Sequence, residues 1–103
     1  MSNPETPIVA AVRLAAPRHV RLFRNNVGMA WTRDGTPVRY GLCTGSSDLI
    51  GWTVRDGVAV FTAVEVKTAR GVVSPEQRVF LDAVRDAGGI ALVARGAGDV
   101  TDL

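Results

Sequence analysis

The sequence predicts an α/β (α+β) fold, with one mixed, twisted sheet flanked by two helices. Three observations predict it. Two segments with apolar residues at helical spacing, one near the start and one after Ser74, open on capping signals. Two Asp-Gly pairs, at 34–35 and 56–57, each lie between strand-forming runs. A short, wholly apolar segment, Ile90 to Ala94, follows the second helical stretch. Helix, several antiparallel strands, helix, strand is the order of a sheet covered by two helices.

Each element has a local reason. Asn3-Pro4-Glu5 opens the first helix, because Asn can cap and Pro fits a first turn. Ile8, Ala11, Val12 and Ala15 then recur at helical spacing up to Pro17. His19 to Arg24 reads as a strand ended by Asn25-Asn26-Val27-Gly28. Met29 to Thr32 and Val38 to Leu42 flank Asp34-Gly35, a hairpin signal of the type I′ kind. Leu49 to Val54 and Val58 to Lys67 flank the second such pair, Asp56-Gly57. Val58 to Val66 is apolar at nearly every position, which predicts a central strand buried on both faces. Ser74-Pro75-Glu76-Gln77 starts the second helix, with Phe80, Ala83, Val84 and Ala87 as its inner stripe and Gly88-Gly89 as its stop. Residues 1–103 are expected to form a single domain, with 1–4 and 97–103 as loose ends.

Composition narrows the chemistry. At 103 residues there is room for one modest core, and 47% hydrophobic with 21% charged residues is ordinary globular composition. No apolar run is long enough to span a bilayer, and the N-terminus lacks the basic and apolar regions of a signal peptide. A cytoplasmic protein with no membrane partner is the expectation, in a bacterial cell or a phage-infected host. One Cys and one His can build neither an internal disulfide nor a zinc site. Eleven of the twelve basic residues are Arg, and Lys67 is the only lysine. Arg is suited to phosphate recognition, although a compositional bias toward Arg accounts for the excess equally well.

The second hairpin can be read in register. A two-residue turn at Asp56-Gly57 pairs Arg55 with Val58, and then Val54 with Ala59, Trp52 with Phe61, Ile50 with Ala63 and Asp48 with Glu65, the last four on one face. Opposed side chains have Cβ atoms about 4.5–5.5 Å apart, where like charges destabilise the sheet. A divalent cation reverses the sign of that energy, because carboxylate oxygens are its natural ligands. Lys67 follows on the same face, while Val66 points into the core. Two acids for a metal and one ammonium beside them suit phosphodiester hydrolysis, with Lys67 orienting water or stabilising charge on phosphorus. The alternative is a Glu–Lys pair on a frayed strand end, with Asp48 capping a turn after Gly45-Ser46-Ser47.

Four motifs together carry a family resemblance. Arg24-Asn25-Asn26-Val27-Gly28, Gly45-Ser46-Ser47-Asp48-Leu49-Ile50-Gly51, Glu65-Val66-Lys67-Thr68 and Ser74-Pro75-Glu76-Gln77, the last followed by Phe80-Leu81 and Gly88-Gly89, resemble a VRR-NUC domain. This is the virus-type replication-repair nuclease branch of the PD-(D/E)xK superfamily, and the resemblance runs from about Glu5 to Arg95. It implies a restriction-endonuclease-like αβββαβ core. It implies that Asp48 and Glu65 bind Mg²⁺ or Mn²⁺ with the backbone carbonyl of Val66, and that Lys67 is the catalytic lysine. Gln77 matches the family's glutamine on the following helix, although Ser74 to Gln77 also has capping-box spacing. Glu5 matches an acid on the first helix that contributes to the metal shell, although the helix dipole favours an acid there in any case. Pro7 departs from the usual pattern and leaves the helix start open. Arg24, Asn25, Asn26, Ser46, Ser47, Thr68 and Arg70 are candidate DNA contacts, each also readable as a solvated loop residue. The implied activity is a metal-dependent DNA endonuclease that is structure-specific on branched DNA such as Holliday junctions, working as a homodimer in DNA repair. A nuclease for linear duplex and a non-catalytic DNA-binding or assembly subunit are the alternatives.

Overall fold

Asp56 and Gly57 both adopt positive φ, 53° and 76°, as a type I′ turn requires at its two central positions. The turn fixes Arg55 against Val58 and sets the register of β4 (Leu49–Arg55) on β5 (Val58–Val66) down to Leu49 against Val64. The predicted pairing of this hairpin is the observed one. The other Asp-Gly pair behaves differently. Only Gly35 has positive φ there, at 86°. The Thr32 amide donates to the Thr36 carbonyl at 2.8 Å and the Gly35 amide to the Thr32 carbonyl at 3.0 Å. The result is a three-residue loop, Arg33-Asp34-Gly35, in place of the expected type I′ turn. The Thr36 amide and hydroxyl and the Thr32 hydroxyl all donate to the Asp34 carboxylate, which holds that residue in ordinary negative φ. This loop joins β2 (Gly28–Trp31) to β3 (Pro37–Tyr40).

The computed structural model describes residues 3–103. Its remaining elements are α1 (Thr6–Ala15), β1 (Val20–Arg24), α2 (Pro75–Asp86), β6 (Ile90–Ala94) and a short 3-10 helix, Ala97–Val100. The main sheet has the order β1-β4-β5-β6, antiparallel except for the parallel β5–β6 pair, and β2–β3 form a separate two-stranded sheet. Apart from that inserted hairpin, the chain is an αβββαβ core, the expected fold class. Gly51 leaves no room for a side chain against β1, since a Cβ there would sit 1.7 Å from the Arg21 carbonyl oxygen.

The two sheet faces bury different helices. One face brings Val20, Leu22, Leu49, Val64 and Val66 against Val9 and Val12 of α1. Val100 is fully buried in that cluster and Leu103 packs on it. Asp99 accepts from the Arg95 amide at 2.7 Å. The tail 97–103 is therefore not a loose end, because its two apolar side chains complete the core. At the other end, Met1 and Ser2 lie outside the described residues, while Asn3 accepts the Glu5 amide through Oδ1 at 2.9 Å. Asn3 is not the cap itself. The N-cap is Glu5, and among the described residues no side-chain cap bond is made there.

The second face carries α2. Leu81 is fully buried on Ala63 and Ala91, with Phe80 and Val84 half-buried beside it. The expected stripe is thus displaced, and Ala83 and Ala87 are exposed. A leucine gains more than an alanine by leaving water, so the helix turns its larger side chain inward. β5 also departs from expectation. Thr62 to Val66 are buried, but residues 58–61 are not, because α2 lies over the C-terminal half of the strand only. Between the outer half of β5 and the end of α2 lies a groove of about 510 Å³ lined by Phe61, Phe80, Ala83 and Ala87.

Candidate active site

The C-terminal ends of β1, β5 and β6 and the start of β4 meet at one edge of the main sheet. One step past the last ladder pair, Asp48 arrives beside Glu65. Its carboxylate takes the place of a ladder carbonyl, as Oδ2 accepts the Val66 amide at 2.8 Å. Amide and carbonyl of a strand residue point to the same side, so the Val66 carbonyl is turned toward Asp48.

Asp48 is held from behind by Asn25. The Asn25 amide nitrogen donates to the Asp48 carbonyl at 2.8 Å. Asn25 Nδ2 donates to Ser46 Oγ at 2.8 Å and to the Ser47 carbonyl at 2.9 Å, and its Oδ1 accepts the Leu42 amide at 3.2 Å. Ser46 and Ser47 are buried, their hydroxyls donating to the carbonyls of Cys43 and Leu49. The side-chain polar groups of Asn25, Ser46 and Ser47, expected to be open to phosphate, are instead bonded within the protein, where they fix the loop before Asp48. Gly45 closes the same loop on α2. Its φ is +85°, and a Cβ there would lie 2.6 Å from the Glu76 carbonyl oxygen. Arg24, Asn26 and Arg70 are exposed at this edge, and Thr68 is half-buried.

Glu65 is only 2% exposed. Gln77 Nε2 donates to its Oε1 at 3.2 Å, while its buried Oε2 has no partner among the described residues. Burial is the main cause that pushes its carboxyl up to about 9, reinforced by the neighbouring Asp48 carboxylate. The Lys67 ammonium opposes the shift and the Glu5 charge adds slightly to it. A buried carboxyl with an orphaned oxygen needs either a proton or a cation. The donor set fits a hard divalent ion such as Mg²⁺ or Mn²⁺. Two carboxylates and a carbonyl are oxygen ligands, and such ions complete their shells with water or phosphate.

Gln77 caps its own helix and also touches Glu65. Its Oε1 accepts the Ser74 amide at 2.9 Å and Ser74 Oγ accepts the Gln77 amide at 3.2 Å, a full capping box. Its remaining amide group is the donor to Glu65. Glu5 is different. Among the described residues no three Asp, Glu, His or Cys side chains stand close enough to share one metal. Glu5 is the N-cap of α1, ahead of its first turn, and its charge reaches Glu65 without completing such a group.

Lys67 leaves the sheet with its amide donating to the Ala94 carbonyl at 3.0 Å. Its stem runs under the loop 68–71, where a Cβ on Gly71 would sit 3.2 Å from Lys67 Cβ. That loop is clamped by a residue with no sequence motif to mark it. Arg95 Nη1 donates to the carbonyls of Thr68 and Gly71, each at 2.7 Å. Its only sequence signal is an arginine immediately after the last strand.

No curated protein and no solved structure matches this chain. The family model for the VRR-NUC domain matches residues 12–98. The matched span contains Asp48, Glu65, Lys67 and Gln77 and begins after Glu5. Over that length, and on this fold, the chain belongs to the VRR-NUC family, nucleases of the PD-(D/E)xK type whose substrate is DNA.

Proposed function

We propose that this protein is a divalent-metal-dependent DNA endonuclease whose reaction centre is Asp48, Glu65 and Lys67. The observation that carries the reading is the unpartnered, buried oxygen of Glu65 beside Asp48. Asp48, Glu65 and the Val66 carbonyl would hold Mg²⁺ or Mn²⁺. When bound, the cation supplies Lewis acidity toward the phosphoryl oxygen and toward water. Lys67 orients the attacking water or meets the charge that gathers on the phosphoryl oxygens. Gln77 keeps Glu65 turned toward Asp48, and Asn25 keeps the Asp48 loop in place. Arg24, Asn26, Thr68 and Arg70 meet backbone phosphates on either side of the centre.

The finer part of the proposal is a homodimer acting on branched DNA, in the manner of a junction resolvase in DNA repair. A two-fold pair would present two centres to two strands. Its support is an uncovered apolar strip on the α2 side of the sheet, where Phe23, Trp52, Val54 and Phe61 are each more than 40% exposed. The test is a cleavage panel of four-way junction, flap and linear duplex DNA with Mg²⁺, with Mn²⁺ and with chelator. The wild type should cut with metal only and favour the junction. Lys67→Ala should bind equally and cut at least about 10²-fold more slowly. Equal cutting by the two proteins would remove Lys67 from the reaction, and equal cutting of all three DNAs would remove the preference for branches.

A further inference from the structure

The β2–β3 hairpin is the part of the molecule that the fold does not use. It is hydrogen-bonded to no strand of the main sheet. No residue of either strand is buried, Gly28 alone being partly covered. An unpacked two-stranded hairpin is marginal in water, yet this one displays Met29, Trp31, Val38 and Tyr40 to solvent, Trp31 at 66% exposure. Apolar side chains on an unpacked element point to a partner that covers them.

Charge says what kind of partner. The hairpin, residues 28–40, carries Arg33 and Arg39 against one acid, Asp34, and with Arg24 at the end of β1 the stretch 24–44 has three arginines to that one acid. That excess equals the +2 of the whole chain, so elsewhere nine acids are matched by nine bases. Side-chain alternation places Met29, Trp31 and Arg39 on one face of the hairpin, with Met29 directly opposite Arg39. An exposed indole on the same face as a guanidinium offers a stacking platform and a phosphate ligand, the pairing that holds unpaired bases and their backbone. Position supplies the rest. The hairpin leaves β1 through Asn25 and returns through Leu42, and Asn25 bonds both Leu42 and the Asp48 loop. DNA lying across Asp48 and Glu65 therefore passes the root of this hairpin.

We infer that the β2–β3 hairpin is a DNA-binding arm, in which Arg33 and Arg39 take phosphates and Trp31 stacks on an unpaired base beside the cleavage site. The inference rests on the reading of the protein as a DNA nuclease and adds the feature it selects, which is single-stranded character next to duplex.

The test uses the full chain in EDTA, so that binding is read apart from cutting. Fluorescein-labelled splayed-arm DNA with two unpaired tails, and a linear duplex of the same paired sequence, are titrated and followed by anisotropy. The wild type should prefer the splayed DNA. Trp31→Ala should weaken that complex roughly tenfold while changing the duplex complex little, and Trp31→Phe should restore most of the loss. Arg33→Ala with Arg39→Ala should weaken both complexes and flatten the salt dependence by about one unit of slope per arginine. Trp31 is exposed, so its substitution leaves the core intact, and light scattering on the same samples reports the mass. Unchanged affinity of Trp31→Ala for splayed DNA overturns the inference. So does a mass that falls to half in Trp31→Ala, which would give the hairpin to a second copy of the chain. If the wild type binds as expected but never cuts with Mg²⁺ or Mn²⁺, the nuclease reading fails and the arm stands. If it cuts while the hairpin variants bind normally, the arm fails alone.

Discussion

Glu65 costs the metal-free protein stability, and the cost has a pH signature. Its carboxyl has an ordinary value of 4.5 and is raised to about 9 in the fold, chiefly by burial and by Asp48. Below the lower value both folded and unfolded chains carry the proton, and nothing is lost. As pH rises toward the upper value the unfolded chain releases the proton while the fold still favours it, so stability falls across that window. In EDTA the Tm should decline steadily from about pH 5 to about pH 9, and Glu65→Gln should flatten the curve. Saturating Mg²⁺ or Mn²⁺ should return the wild type upward at the alkaline end, because a ligand of the folded state alone stabilises it. A Tm indifferent to pH in the metal-free wild type would contradict the burial of that charge.

Among elements, the loop that carries Asp48 is tied to the end of β1 by one side chain from outside it. Asn25 spends both of its amide groups there. Asn25→Ala strands the Leu42 amide and the partners of the lost Nδ2, which should lower stability by about 1–3 kcal/mol. Cutting should fall further than the lost stability explains, since Asp48 loses its support, and calorimetric melting beside single-turnover cleavage separates the two effects. This residue also shows where sequence reading reached its limit. Its donors look suited to phosphate, and sequence gives the inventory of donors but not their targets. The same holds for Ser46 and Ser47, which are ordinary loop hydroxyls until the chain buries them. Asp48 beside Glu65 was legible because a type I′ turn at Asp56-Gly57 permits one register only. The capping box at Ser74 was legible for the same local reason, but the rotation of α2 was not. The spacing of Phe80, Ala83, Val84 and Ala87 fits a stripe as well as the stripe centred on Leu81 does, and the choice is made by Ala63 and Ala91 across the interface. Arg95 was invisible for a related reason, since its partners are carbonyls, which every residue has.

At the scale of the whole molecule, a twelve-residue helix covers a four-stranded sheet incompletely. α2 packs on β5 and β6, and the β1–β4 half of that face is left with Phe23 and Trp52 in ring contact at 5.6 Å. Trp52→Lys should leave folding intact, because the ring is 41% exposed. It should convert a dimer to a monomer by light scattering and reduce junction cutting more than the nicking of one strand. A monomeric wild type would end the two-fold model without touching the chemistry at Glu65. The distribution of charge has a further result. The hairpin and Arg24 at its root hold the excess of +2 while acids and bases cancel over the rest of the chain, so a distant polyanion pulls hardest on that side. The difference is a torque, so the molecule turns before it arrives, and productive orientation is selected during diffusion rather than after collision.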